Sequence, residues 1–204
     1  ADKLAIAREI VTRLVMNDKV TIEGHGKVES PAPVSAGLLQ PPVTNTALYP
    51  FMKNELWGYV DSSGRVKVEP RLVKALSFAE GFALAEVEPD RWAVVSIDGA
   101  LKPLALRPNE RVQEVKGHFS DGLIPVQTMH ANAWHTGYIN TSGTWSIEPA
   151  YVSASFFAFG RAVVSSDGGR KGIIDTRNQR IMEDRFQFLE PFSQGLALFA
   201  DFGG

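Results

Sequence analysis

The feature that most constrains this chain is that it says the same thing twice. Residues 57–70 read WGYVDSSGRVKVEP and residues 136–149 read TGYINTSGTWSIEP. They share Gly, Tyr, Ser, Gly, Glu and Pro in register, and most other columns are conservative exchanges. A chain with internal self-similarity folds as an array of like units, because each unit buries its apolar face on the next.

Two further stretches align with the pair. WAVVSIDGALKPL at 92–104 and KGIIDTRNQRIME at 171–183 open units of the same kind, so the unit starts are Trp57, Trp92, Thr136 and Lys171. A second signature follows in the same order each time, around Gly81, Gly122, Gly160 and Gly195. Two signatures kept in order four times define a repeat of 35 to 44 residues.

The chemistry within a unit is that of strands. In the first, Trp57 and Tyr59 share one face and Val60 the other. Asp61-Ser62-Ser63-Gly64 is a hairpin turn, with Asp bonding its own backbone and Gly supplying positive φ. Val66 and Val68 alternate with Arg65, Lys67 and Glu69, which predicts one buried and one wet face. Pro70, with no N–H, is expected to end that strand. Phe78 plugs the core beside a glycine turn, and FALAEV at 82–87 supplies a last strand. ALYPFMKNEL at 47–56 reads as the final strand of a degenerate unit preceding the four.

Upstream the texture differs. Leu4, Ala7, Val11 and Leu14 recur at helical spacing, with Asp2 as N-cap and KVTIEG at 19–24 as a short strand. The domain reading is therefore a helix and short strand over 1–26, a connector with four prolines over 27–46, and the repeats over 47–204.

Trp57-Gly58-Tyr59-Val60-Asp61, Gly64, Glu69-Pro70 and the Phe-Ser-x-Gly motifs at 119–122 and 192–195 resemble the WG-containing repeat, also called the KWG repeat, found mainly in bacterial proteins. The resemblance implies an all-β scaffold of three- to four-stranded antiparallel units used for binding, with no catalytic residues to carry over. The second unit departs at Ala93, the third at Thr136 and the fourth at Lys171. Both an open stack and a propeller-like ring fit the unit length, and the unlikeness of the first and fourth units favours the stack.

The chemistry-bearing residues argue against a catalytic centre. His130 and His135 flank Trp134 in the longest inter-unit insertion, which reads as a loop in which no carboxylate completes a metal set. SSDGGRKG at 165–172 is a hairpin turn rather than a phosphate loop, since strand chemistry continues on both sides. The terminal DFGG lacks the other kinase motifs, and there is no GxSxG or HExxH. Glu69, Glu148 and Glu183 occupy one repeat position, which suits a repeated structural role and not an acid–base pair of unlike environments. No cofactor and no metal are expected.

With 21 basic and 23 acidic residues interleaved, the chain lacks the basic stripe of a nucleic-acid binder. The early run LAIAREIVTRLVM is too short and too charged to span a bilayer. The absence of cysteine leaves the compartment open between periplasmic or secreted and cytoplasmic.

Three aromatics break the repeat register. Trp145 stands where the first unit has Val66, Phe159 where the others have Glu80, Asp121 and Gln194, and Trp134 in the insertion. They are the interface candidates. The expectation is a non-catalytic protein–protein interaction module, of adaptor or toxin-neutralising (immunity-like) kind. A carbohydrate- or cell-wall-binding module is the alternative, and a hydrolase with a central-funnel site the third.

Overall fold

The computed structural model describes residues 47–130 and 132–200. The N-terminal helix with its short strand and the proline-rich connector lie outside the described residues. Within them the protein is all-β, with seventeen strands and no helix.

The strands form five small antiparallel sheets, each a simple meander. The first holds β1 (Tyr49–Lys53), β2 (Leu56–Val60) and β3 (Val66–Leu72). The second holds β4 (Lys74–Ala75), β5 (Phe82–Glu88), β6 (Arg91–Ser96) and β7 (Leu101–Pro103). The third holds β8 (Arg111–Val115), β9 (Leu123–His130), β10 (Ala133–Asn140) and β11 (Trp145–Tyr151). The fourth holds β12 (Ser153–Ala154), β13 (Arg161–Ser165), β14 (Lys171–Asp175) and β15 (Arg180–Phe186). β16 (Phe188–Leu189) and β17 (Phe199–Ala200) form the last. β1 pairs with β2 over the whole of Tyr49–Lys53, as expected of a degenerate preceding unit.

Sheets and sequence units are out of phase by half a unit. Each unit gives its opening hairpin to one sheet and its closing strands to the next. The switch takes a single residue at Val73, Val152 and Gln187, where one strand ends and the next begins. At the first two switches that residue keeps its backbone bonded, Val73 N–H to Glu86 O at 2.8 Å and Val152 N–H to Ser165 O at 2.9 Å.

The core follows from this arrangement. The inner strands are buried on both faces, which is why β6 reads WAVV and β13 reads AVV without polar alternation. Alternate residues serve different interfaces. Ala83, Ala85 and Val95 pack toward the first sheet with Tyr59, Val68 and Leu72. Leu84 and Val94 pack toward the third with Ile124, Val126 and Ile139. Further clusters join the third sheet to the fourth, around Tyr138 and Ala162, and the fourth to the last, around Phe186 and Leu189. Among the described residues no cluster joins the first sheet to the last, an arrangement of nearest-neighbour interfaces.

A tyrosine fastens each of two such interfaces. Tyr59 Oη donates to Leu76 O at 2.7 Å, and Tyr138 Oη donates to Ser155 O at 2.7 Å. Both phenols are fully buried, and burial pushes both far above the ordinary tyrosine pKa, so the hydroxyl stays a donor. Each ring meets the plug phenylalanine of its unit, Phe78 at 5.0 Å and Phe157 at 4.7 Å between centroids.

The glycine before each tyrosine has a different cause. β3 carries extra residues against β2, so that Trp57 faces Leu72 while Tyr59 faces Val68. The surplus arches over Gly58, where a Cβ would meet the Val68 carbonyl and come within 2.9 Å of Pro70 N. Gly137 stands under the same arch, 2.5 Å from Ile147 O and 2.7 Å from Pro149 N for such a Cβ. The fourth unit repeats the register at Gly172. The second unit has no arch, since Ala93, Val94 and Val95 pair regularly with Pro103, Lys102 and Leu101, and there alanine is accommodated.

Two expectations are corrected by the arch. Pro70 does not end its strand but sits inside β3, at the bulge, where its missing N–H breaks no regular ladder bond. Val66 does not share the buried face of Val68. It is 43% exposed, because a second register shift lies between Tyr59 and Val60.

The hairpin turn after each opening strand follows one plan. Asp61 Oδ1 accepts from the amides of Ser63 at 2.9 Å and Arg65 at 3.0 Å. Asn140 serves Ser142 and Thr144 in the same way, and Asp175 serves Arg177 and Gln179.

Gly58→Ala is expected to destabilise the chain by about 2 kcal/mol or more, whereas Ala93→Gly costs about 1 kcal/mol or less. Tyr59→Phe, which strands a carbonyl, costs about 1.5 kcal/mol. Chemical denaturation checks all three. The Ser63 hydroxyl above all, with the amides of Arg65 and Ser63 and the Arg65 guanidinium, holds the Asp61 pKa down at about 2. A depressed folded-state pKa contributes stability that is present above the ordinary carboxylate range and lost as pH falls toward 2. Asp61→Asn, the residue the third unit already uses, should flatten the decline of Tm between pH 4 and 2 relative to the parent.

Candidate functional site

The second repeat signature builds a row of identical turns. Ala79 and Phe82 bridge across Glu80-Gly81, and Ser120 with Leu123, Ala158 with Arg161 and Ser193 with Leu196 do the same. In each turn both central residues have positive φ: 53° and 83° at Glu80-Gly81, 52° and 74° at Asp121-Gly122, 55° and 72° at Phe159-Gly160, 51° and 77° at Gln194-Gly195. This is the primed turn whose twist matches that of the strands it joins.

The acids of this row are structural. Glu80 accepts from the amides of Asp121 at 2.9 Å and Gly122 at 2.8 Å in the following turn. Asp121 in turn accepts from Gly160 N–H at 2.7 Å. Each acid thus satisfies the exposed donors of the next turn, a repeated charge-assisted bond between units.

The ladder stops at Phe159, which has no acceptor to offer the turn at Gln194-Gly195. Its ring is 50% exposed. A bulky side chain in the left-handed region is unfavourable, and half exposure limits the packing that could offset it.

The other two register-breaking aromatics fall in different settings. Trp134 is not in a loop. The insertion lengthens the β9–β10 hairpin, pairing Trp134 with Met129 and His135 with Thr128, around a turn in which Asn132 has φ of 62°. Trp134 is 41% exposed near the tip of this hairpin. Trp145 is half-buried against the cluster between the second and third sheets, so it meets a neighbouring unit. Its indole Nε1 is buried and finds no acceptor among the described residues.

The unit-opening position itself varies in role. Trp57 and Trp92 pack on the interfaces to the second and third sheets. Thr136 is buried, with a hydroxyl that finds no partner among the described residues. Lys171 reaches Leu189 O at 3.4 Å and lies 5.7 Å from the Phe188 ring centre. No group of three or more His, Cys, Asp or Glu is placed to hold a metal among the described residues. No helix among them is long and apolar enough to cross a membrane.

Sequence reasoning missed one concave feature, a cavity of about 420 Å³ beside β6 and β7 in the second unit. Glu110 and Trp92 line it. The available signal was Ala93 in place of glycine, which marks the one unit without an arch.

Phe159→Asp, which places there the acid of the two preceding turns and tolerates positive φ, is expected to stabilise the chain by roughly 1 kcal/mol. A rise of a few degrees in Tm checks this. No change or a fall would mean that the ring is held by favourable contacts.

The WG containing repeat matches residues 57–88 and 137–169. No curated protein matches the chain. The matched stretches are those in which the glycine under the arch is followed by the clamping tyrosine, Tyr59 in one and Tyr138 in the other. The chain matches the WG containing repeat at two places, and in both matched stretches a glycine under the arch precedes a clamping tyrosine.

Proposed function

We propose that the chain is a non-catalytic protein–protein interaction module, in which a rigid row of sheets presents exposed aromatics to a partner. The observation that carries this reading is Phe159. The position takes an acid with a structural bond in two units, Glu80 and Asp121, and here it takes an exposed ring on a left-handed backbone. Giving up a stabilising acid for a strained, solvent-facing aromatic fits a binding anchor, since aromatic side chains dominate interface energetics. Trp134 on the extended hairpin is a second such anchor. An adaptor or immunity-like role is the form this module takes under the proposal.

The repeat chemistry supports the non-catalytic part. The recurring acids at the turns, Glu80 and Asp121, are spent on backbone amides, and Glu148 pairs with Arg107.

Affinity capture from the source cell with the immobilised chain tests the reading. A protein retained by the parent chain is expected to be lost, with at least a tenfold drop in affinity, from both Phe159→Asp and Trp134→Ala. Retention unchanged in both folded variants would overturn it.

A further inference from the structure

The second unit differs from the others in a way that opens a space. Elsewhere the second strand of the hairpin runs seven residues and arches over a glycine. Here β7 stops at Pro103, Leu104 N–H still donates to Trp92 O at 2.9 Å, and the chain beyond it turns toward the third sheet. It is tied there by Ala105 N–H donating to Gly143 O at 2.8 Å and by the Arg107–Glu148 pair. The cavity of about 420 Å³ lies against Ala93, the counterpart of the residues that meet the arch in the other units.

The lining of this cavity is mixed in character. Trp92, Leu101, Leu104 and Leu106 supply apolar surface. Glu110 supplies a carboxylate that is only 7% exposed. It accepts from Arg107 N–H at 2.9 Å and from Thr128 Oγ1 at 2.8 Å, and it belongs to none of the ion pairs among the described residues. A buried carboxylate held by neutral donors alone lacks a counterion, and a cation entering beside it gains more than it would at the surface. At the rim, Glu88 and Asp90 stand against Arg91. Arg91 is drawn to Glu88 at 3.1 Å, and Arg111 reaches Asp90 at 3.9 Å, so Glu110 is the carboxylate left without a cation.

A cavity that combines apolar side chains with a carboxylate outside the ion pairs among the described residues matches an alkyl chain with a cationic tip. The geometry points to this cavity as the receptor for one lysine or arginine side chain presented by a protein partner. The inference rests on the protein-binding reading and names a second contact point for it, on a different unit from Phe159.

The test titrates the intact, isotope-labelled chain with N-acetyl-lysine methylamide, N-acetyl-arginine methylamide and the uncharged N-acetyl-norleucine methylamide, followed by NMR. The cationic probes are expected to shift the Trp92 indole and the amides of 104–110 saturably, with Kd around 1 mM. The norleucine probe binds at least tenfold more weakly, and Glu110→Gln, which keeps a hydrogen-bonding group of the same shape, removes that difference. Equal binding of charged and uncharged probes to the parent chain, or no saturable shift with any of them, overturns the cavity assignment without touching the Phe159 and Trp134 capture result. Saturable, charge-dependent binding upholds it whatever the capture experiment yields.

Discussion

Everything in this molecule depends on each sequence unit being shared between two sheets. The opening hairpin of a unit completes one sheet, and its closing strands begin the next, across a single residue at Val73, Val152 and Gln187. The second, third and fourth sheets each combine strands of two successive units, and the apolar face of each is covered by the next along the chain. The tyrosine clamps make the same point at atomic scale. Tyr59 and Tyr138 belong to one sheet by their strands, and by their hydroxyls to the segment that leads into the following one. Stability in such an array is a sum of local terms and neighbour interfaces, and damage at one interface is felt mainly by its two sheets.

The same logic separates scaffold from surface. The primed turns are linked by acids that satisfy the amides of the next turn, and this linkage runs from Glu80 through Asp121 to Gly160. Phe159 interrupts it. Under the proposed interaction role, a side chain that offers no acceptor to the next turn, occupies an unfavourable backbone region and is half exposed is a contact point for a partner. The cavity in the second unit has the same logic. It lies beside the unit without an arch, and its lining carries a carboxylate that joins no ion pair among the described residues.

Much of the fold was legible because repetition averages over local ambiguity. The hairpin at Asp61–Gly64, the plug phenylalanines and the partial unit before Trp57 were readable from turn chemistry and alternation. The failures share one cause, the bulge. Pro70 and Val66 were misplaced because alternation assumes one residue per register step, and β3 carries extra residues against β2. The insertion around Trp134 looked like a loop because its polar and small residues hide a ladder that pairs backbone to backbone. Trp145 was recognisable as an exception, but whether it faced solvent or a neighbour depended on the adjoining sheet.

The sequence by itself determined the all-β class, the number of units, their turns and which letters break the pattern. Those properties are local, set by φ preferences, two-residue alternation and recurrence along the chain. Only the tertiary structure decided how the units are divided among sheets, which glycine lies under a neighbouring carbonyl, and where a cavity lies beside the unit without an arch. These depend on approach between segments far apart in sequence, where a displacement of one residue in register moves every side chain to the opposite face.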